Sequence, residues 1–255
     1  MILSIDIGIR NLSLCIIEAG RTDDFGTYRI HLWDVFDTIE SEEYSCTGLL
    51  KNGSVCNKKC GYKSTVNGNT IYTCKTHFPK DQLPLTKSNT FKRKLINDYL
   101  LQDIAKIVLS KLQEIYDNNS AFKELNSIVI ELQPKVNQKM KFISHIIYGK
   151  LVELYIKERT TIRFVRASQK LKAYTGPPLV CNLRGAYAKR KWLSIEYTKW
   201  FLQTKFSDEE RERWLERFMS HKKRDDVADS FLICICAIGG IPKRQRTDKN
   251  GRCIK

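Results

Sequence analysis

The sequence predicts an α/β fold, a mixed five-stranded sheet with flanking helices that is interrupted by a small cysteine-rich insertion. Three observations lead there. The first forty residues hold short hydrophobic runs rich in β-branched and aromatic residues. Later apolar residues recur at three- and four-residue spacing around two further strand-like segments. Between these regions, residues 44–80 lose nearly all aliphatic character and gain cysteine. The 255 residues, 42% hydrophobic and 28% charged, are enough for a sizeable core and exclude collagen-like and disordered classes. Forty-four Lys and Arg against 28 Asp and Glu leave a net charge of +16. Such an excess points to nucleic acid or an anionic membrane surface as partner. No stretch approaches the roughly 20 apolar residues of a membrane span. The chain opens on a strand-like run with no basic leader, so an intracellular, reducing setting is expected. Nine cysteines then read as thiols or metal ligands, and an odd number argues against a full set of disulfides.

Each element follows in order. MILSIDIG, NLSLCIIEAG and TYRIHLWDVF, bounded by Gly, Asn, Arg and Asp, read as three sequential strands in an antiparallel meander. A helix is expected after Ser88-Asn89-Thr90, because Leu95, Ile96, Tyr99, Leu100, Ile104, Ile107, Val108, Leu112 and Ile115 share one face. Asp117 to Ser120 ends it. SIVIEL, Ser127 to Leu132, is apolar apart from one acid, as a central buried strand is, and Pro134 stops it. A second amphipathic helix from Met140 to Tyr155 leads to the short strand Ile162 to Val165. Beyond Gly176-Pro177-Pro178 lie three helices, Ala186 to Gln203, Ser207 to Met219 and Asp225 to Ile238, then a basic tail. Three hairpin strands followed by two strands entered through helices is the ribonuclease H-like arrangement. The expected organisation is a ribonuclease H-like domain from 1–43 and 85–240, an insertion at 44–84 and a tail at 241–255.

Four acids lie where a core would not place them. Asp6 sits inside ILSIDIG and Glu131 inside SIVIELQP, each with apolar neighbours on both sides. A buried carboxylate costs several kcal/mol unless paired or bound to a cation, so two on neighbouring strands suggest a shared ion. In KKRDDVADSFLICICAI, Asp226 and Asp229 are three apart at the start of an apolar helix, and Asp225 lies four before Asp229. First-turn acids also complement a helix dipole, and Asp225 fits that use. If this helix packs beside Asp6 and Glu131, the acids converge and need divalent cations. Mg²⁺ suits them, because two such ions about 4 Å apart can bind the attacking and leaving oxygens of a phosphodiester.

IDIG, IELQP and DDVADSF together resemble the RuvC-like Holliday junction resolvases, most closely the type encoded by poxviruses and other large DNA viruses. The resemblance spans roughly residues 1–43 and 85–240, and DDVADSF is its most specific part. It implies a ribonuclease H-like fold, a homodimer, and Mg²⁺- or Mn²⁺-dependent paired nicking of four-way DNA junctions, with two ions per site. Asp6, Glu131, Asp226 and Asp229 would be the metal-binding acids. It also implies a role in viral DNA recombination, at the place in the host cell where viral genomes replicate. Lys222, Lys223 and Arg224 match that family's basic lead-in to the acids.

In the insertion, Cys46, Cys56, Cys60, Cys74 and His77 lie within 32 positions of a segment too polar for a core. Cys74 and His77 have knuckle spacing, and one structural Zn²⁺ would take four ligands in a tetrahedron, here Cys46, Cys56, Cys74 and His77. Cys60 is the alternative to Cys56, or a spare thiol. Six lysines and no acid between Tyr44 and Lys80 leave the zinc-loaded module near +5, which suits contact with phosphate. Cys234 and Cys236 read as small buried hydrophobes on the last helix.

Positive charge concentrates after Glu131, at Lys135, Lys139 and Lys141, at Lys189, Arg190 and Lys191, at Lys222 to Arg224, and in the tail. Contacts from these groups to phosphate would make DNA binding steeply salt dependent. Tyr148, Tyr187, Trp192 and Trp200 recur at helical spacing and read as core residues. Nothing reads bases, so branched DNA would be recognised by shape. Two other readings stay open: a zinc-stabilised, structure-specific DNA-binding protein without catalysis, and a transposon-type RuvC-like nuclease. In the latter the zinc module lies between the later acids, whereas here it precedes Glu131. Asp6-Ile7-Gly8 also fits the first phosphate loop of actin-like ATPases, but no second glycine-rich loop accompanies it.

Overall fold

The computed structural model describes residues 1–20, 24–39, 44–90, 96–134 and 136–239, with backbone alone at 246–247 and 253–254. Lys135 and the basic side chains of the tail lie outside the described residues. The chain forms two compact units, Met1–Thr38 with Leu101–Lys255, and Ile39–Leu100.

The larger unit carries a five-stranded sheet. Strands β1 (Ile2–Asp6), β2 (Asn11–Glu18) and β3 (Arg29–Asp37) form the antiparallel meander. In the smaller unit β4 (Tyr62–Val66) and β5 (Asn69–Thr73) make a hairpin. Strands β6 (Ser127–Leu132) and β7 (Thr161–Arg166) return to the large sheet, β6 parallel to β1 and β7 parallel to β6. The spatial order β3-β2-β1-β6-β7 is that of the ribonuclease H-like fold. Helices α1 (Leu101–Asn118) and α2 (Gln138–Leu154) pack together, with α2 on β6 and β7. The short α3 (Ala167–Lys170) follows β7, and α4 (Ala186–Thr204), α5 (Asp208–Ser220) and α6 (Arg224–Ile238) complete the unit.

Alternation along the strands divides the core between two faces. Leu3, Ile5, Leu14, Ile16, Ile128 and Ile130 are fully buried, as are Ile104, Leu112, Ile143 and Ile147 of α1 and α2. The alternate set, Cys15 and Ile17 with Ile30 and Trp33, packs with Val227, Phe231 and Cys234 of α6. Val129 and Val165 join that face through Ile233. α6 is buried along nearly its whole length, which explains why its apolar residues show no helical stripe. Small hydroxyls seat it closely. Ser4 donates to the Ser230 carbonyl at 2.6 Å, and Ser13 donates to the Ser230 hydroxyl at 2.8 Å. Trp33, stacked on Phe218, donates its indole N–H to the Val227 carbonyl at 2.9 Å.

Two expectations change. α1 begins at Leu101, not after Thr90; Ile96–Asp98 is a 3-10 turn, and residues 91–95 lie outside the described residues. Leu100 and Leu101 are exposed, so the periodicity continued past the residues that bury a face, and the first buried residue of α1 is Ile104. The smaller unit is also wider than 44–84, because Thr90 bridges to Tyr62 and Asn89 donates to the Lys63 carbonyl, which binds residues 85–90 to the hairpin.

Candidate active site and metal centre

The C-terminal ends of parallel strands are where open α/β sheets present their functional groups. The register that sets Ile5 opposite Ile130 carries on to bring Asp6 beside Glu131 at those ends. Both lie on the face covered by α6. Glu131 is 8% exposed. Asp229, on the second turn of α6, joins them through Lys170, whose ammonium lies 3.0 Å from Glu131 Oε1 and 2.6 Å from Asp229 Oδ2. Asp226, one turn earlier, accepts a hydrogen bond from Asn11 Nδ2 at 3.2 Å, where β2 begins. Asp225 is paired with Lys191 of α4.

Burial is the largest influence on Asp6 and pushes its carboxyl well above the ordinary range; Glu131 and Asp229 raise it further, and Lys170 only partly opposes them. Burial would raise Glu131 too, but hydrogen bonds from Asp6 and Lys170 hold it below its ordinary value. Burial raises Asp229 against the pull of Lys170 and Ser194. It also raises Asp226, helped by the charge of Asp225 and opposed by Lys191, Asn11 and Lys223. For Asp225 the Lys191 ammonium overcomes burial and lowers the carboxyl. Burial disfavours the Lys170 charge, yet the facing acids raise its ammonium above the ordinary lysine value.

The donor set suits a hard divalent cation, but the Lys170 ammonium stands between Glu131 and Asp229, and among the described residues only Cys46, Cys56, Cys74 and His77 bring three or more ligand atoms within 4.8 Å of one another. All the donors of the acidic site are oxygens, and Asp229 Oδ1 is buried with no hydrogen-bond partner, an arrangement that a cation would satisfy. Asp6, Glu131 and Asp229 would be its holders, and Asp226 stands one turn before Asp229 on α6.

The smaller unit builds a different cluster. Cys46 and Cys56 flank a tight knuckle, held by hydrogen bonds from Cys56 N–H to the Gly48 carbonyl and from Asn57 N–H to the Cys46 carbonyl. Cys74 and His77 enter from the turn after β5. His77 Nδ1 lies 3.4 Å from Cys46 Sγ and 3.5 Å from Cys74 Sγ, and Cys56 and Cys74 are 3.9 Å apart at sulfur. All four ligand atoms lie within 4.8 Å of one another. A tetrahedron with Zn–S near 2.3 Å and Zn–N near 2.0 Å has edges of about 3.5–3.8 Å, so the spacing fits. A Cβ on Gly48 would come within 2.4 Å of His77 Cγ, so the ring needs a glycine beneath it. Burial opposes the Cys74 thiolate, but the His77 and Thr76 N–H groups and its cysteine neighbours bring it down to about 6. Cys60 is buried in the same cluster, where burial and the other sulfurs push its thiol up.

Of the basic residues singled out, Lys141, Lys189, Arg190, Lys222 and Lys223 are exposed, and Lys139 and Arg224 are half-buried. Lys191 is turned inward to Asp225. Lys170 carried no signal among the many lysines, and only the packing of α3 beside α6 brings it to the acids. Tyr187, read as core, is 65% exposed on the first turn of α4, while Trp200 packs against the core as expected and Tyr148 stacks on Phe164.

No family model matches the chain. Uncharacterized protein L451 of Acanthamoeba polyphaga mimivirus is 28% identical over 265 residues, 92% of this chain and 62% of that protein. The chain therefore spans under two thirds of the length of this curated relative. Among solved structures, the yeast mitochondrial Holliday junction resolvase Ydc2 is similar at a TM-score of 0.45 with 14% identity, covering 93% of this chain and 78% of that one. Thermus thermophilus RuvC is similar at a TM-score of 0.40 with 10% identity, covering 93% of both chains.

Proposed function

We propose that the protein is a divalent-metal-dependent endonuclease that cuts branched DNA, four-way junctions foremost. The observation that carries this reading is the gathering of Glu131, Asp229 and the neighbouring Asp6 about the buried Lys170 ammonium at the ends of two parallel strands, with one Asp229 carboxylate oxygen left buried and partnerless. The resemblance of the three acidic motifs to the RuvC-like resolvases supports a junction as the substrate, and the net charge of +16 supports DNA as the partner. Bound at the acids, Mg²⁺ or Mn²⁺ would supply Lewis-acid polarisation of the phosphodiester and acidify the attacking water. The protein's own groups do the rest. Asp6 and Glu131 orient the donors from rigid strands, Lys170 offsets their charge, and the exposed lysines and arginines hold phosphates. A four-way junction has two-fold symmetry, so two copies about one axis would cut opposed strands. In the insertion, Cys46, Cys56, Cys74 and His77 would hold one structural Zn²⁺.

Purified protein with Mg²⁺ and a synthetic four-way junction tests this. Paired nicks at symmetrical positions are expected, and Asp6→Asn and Asp229→Asn should each abolish cutting while keeping or tightening junction binding, because a negative charge facing phosphate is removed. Cleavage retained in both variants overturns the assignment. Retardation in a gel without nicks favours the zinc-stabilised binder instead.

A further inference from the structure

Between α3 and α4 the chain runs through an exposed loop that neither the acids nor the core explains. Leu179, Val180 and Leu183 are open to solvent, Val180 at 83%, and Tyr187 follows them. Single exposed apolar residues are ordinary, but four within nine positions are not. Their setting is electrostatic. From Arg159 to Ile195 the sequence holds nine basic residues and no acid. Two of the nine, Lys170 and Lys191, are turned to the acidic site, while Arg184, Lys189 and Arg190 are exposed beside the apolar residues. Gly185, at φ +90°, turns the loop sharply into α4 and leaves Tyr187 on its outermost turn.

Tyr187 connects this loop to the site. Lys191 Nζ lies 5.0 Å from the centroid of the Tyr187 ring and is bonded to Asp225, the neighbour of Asp226. One ammonium thus links an exposed aromatic ring to the edge of the carboxylate cluster. Exposed aromatic and apolar side chains inside a basic, acid-free stretch have the composition of a single-strand platform, on which bases stack while neighbouring cations take phosphates. A continuous duplex holds each base between two stacked neighbours, whereas the pairs at a branch point open at lower cost.

We infer that Tyr187, with Leu179, Val180 and Leu183, forms a platform for an unstacked nucleobase at the branch of the DNA, next to the phosphate presented to the acids. This deepens the nuclease reading and rests on it for the position of the scissile phosphate. Tyr187 is a positioning residue here, since it touches a base and not the reacting atoms.

The test is DNA binding with Ca²⁺ replacing Mg²⁺, using a four-way junction, a single strand and a linear duplex. Tyr187→Ala should weaken binding to the junction and the single strand by about tenfold, with duplex binding and the salt slope unchanged. Tyr187→Trp and Tyr187→Phe should bind as the unaltered protein does. An unpaired 2-aminopurine placed at the branch should lose fluorescence on binding the unaltered protein and Tyr187→Trp, but not Tyr187→Ala. Because the readout is binding, the two readings separate. Weakened Tyr187→Ala in a protein that never nicks DNA removes the nuclease and leaves the platform. Full junction affinity and full quenching in Tyr187→Ala remove the platform, whether or not junctions are cut. A protein that binds none of the three DNAs overturns it as well.

Discussion

Each unit brings ligand-type side chains together, acids in the larger and cysteines with a histidine in the smaller, yet they support them in opposite ways. The acids stand at the ends of β1 and β6 and on α6, elements whose positions come from a large apolar core. Their charge is balanced within the protein by Lys170 and Lys191. In the smaller unit the cluster is itself the centre. Cys46, Cys60 and Cys74 are buried together, with Cys56 and the stacked rings of Tyr44 and Tyr72 around them, and Phe78, Ser64 and Thr73 are the unit's other buried residues past Ile39 among those described. Thus one site is carried by a fold, while the other cluster carries the fold around it.

The strongest way to break that contrast is to remove the zinc proposed for the insertion. Chelation, or Cys74→Ala, should unfold residues 39–100 and leave the sheet intact, because zinc binding of this kind supplies about 10–16 kcal/mol to a small module. Hydrogen exchange by segment reads it: protection should vanish in the insertion and persist in β1, β6 and α6. Loss of protection in both units, or in neither, ends the distinction. One zinc per chain by elemental analysis is the accompanying expectation.

The acidic site should respond to loss of its internal cation. Lys170→Met leaves Glu131 and Asp229 buried without their ammonium and should cost about 3–5 kcal/mol in protein free of divalent ions. Mg²⁺ should then raise the melting temperature of the variant more than that of the unaltered protein. An unchanged melting temperature in the variant contradicts the balance described for Lys170.

A smaller effect sharpens the same point through pH. Asp6 is raised in the folded protein above its unfolded value of about 3.9. The folded chain therefore holds a proton that the unfolded chain has released. The associated stability is complete below the unfolded value and is lost as pH rises from there through the raised value. Glu131, held low, contributes with the opposite slope as pH falls. In metal-free protein, denaturant titrations should show stability falling with rising pH above about 4, and Asp6→Asn should show a shallower slope, keeping only the part that the raised Asp226 and Asp229 contribute. Equal slopes in the two proteins refute the assignment of the proton to Asp6.

Much of this was legible in the sequence, for physical reasons. Strands of period two with acids inside them expose Asp6 and Glu131 at once, and the spacing of Asp226 and Asp229 places both on one side of α6. The cysteine spacing likewise singles out the four residues the structure gathers, because a segment so poor in aliphatics leaves few other ways to hold itself. What stayed hidden was tertiary. Lys170 and Lys191 resemble every other lysine in a basic stretch until α3 and α4 turn them to the acids. Leu100 and Leu101 keep helical spacing without burying anything, so periodicity alone placed the start of α1 too early. Tyr187 shares the spacing of core aromatics but falls on the outer turn of its helix.

The seam of hydroxyls between Ser4, Ser13 and Ser230 has a consequence for how finely the acids can be aimed. Aliphatic packing alone tolerates small rotations and slides of a helix, whereas directional bonds do not. A slip of one residue along α6 would swing Asp229 through about 100°, out of reach of the strand ends. Three small side chains, none of them able to bind DNA or metal in their buried positions, therefore set the rotational phase at which the last acids meet the first.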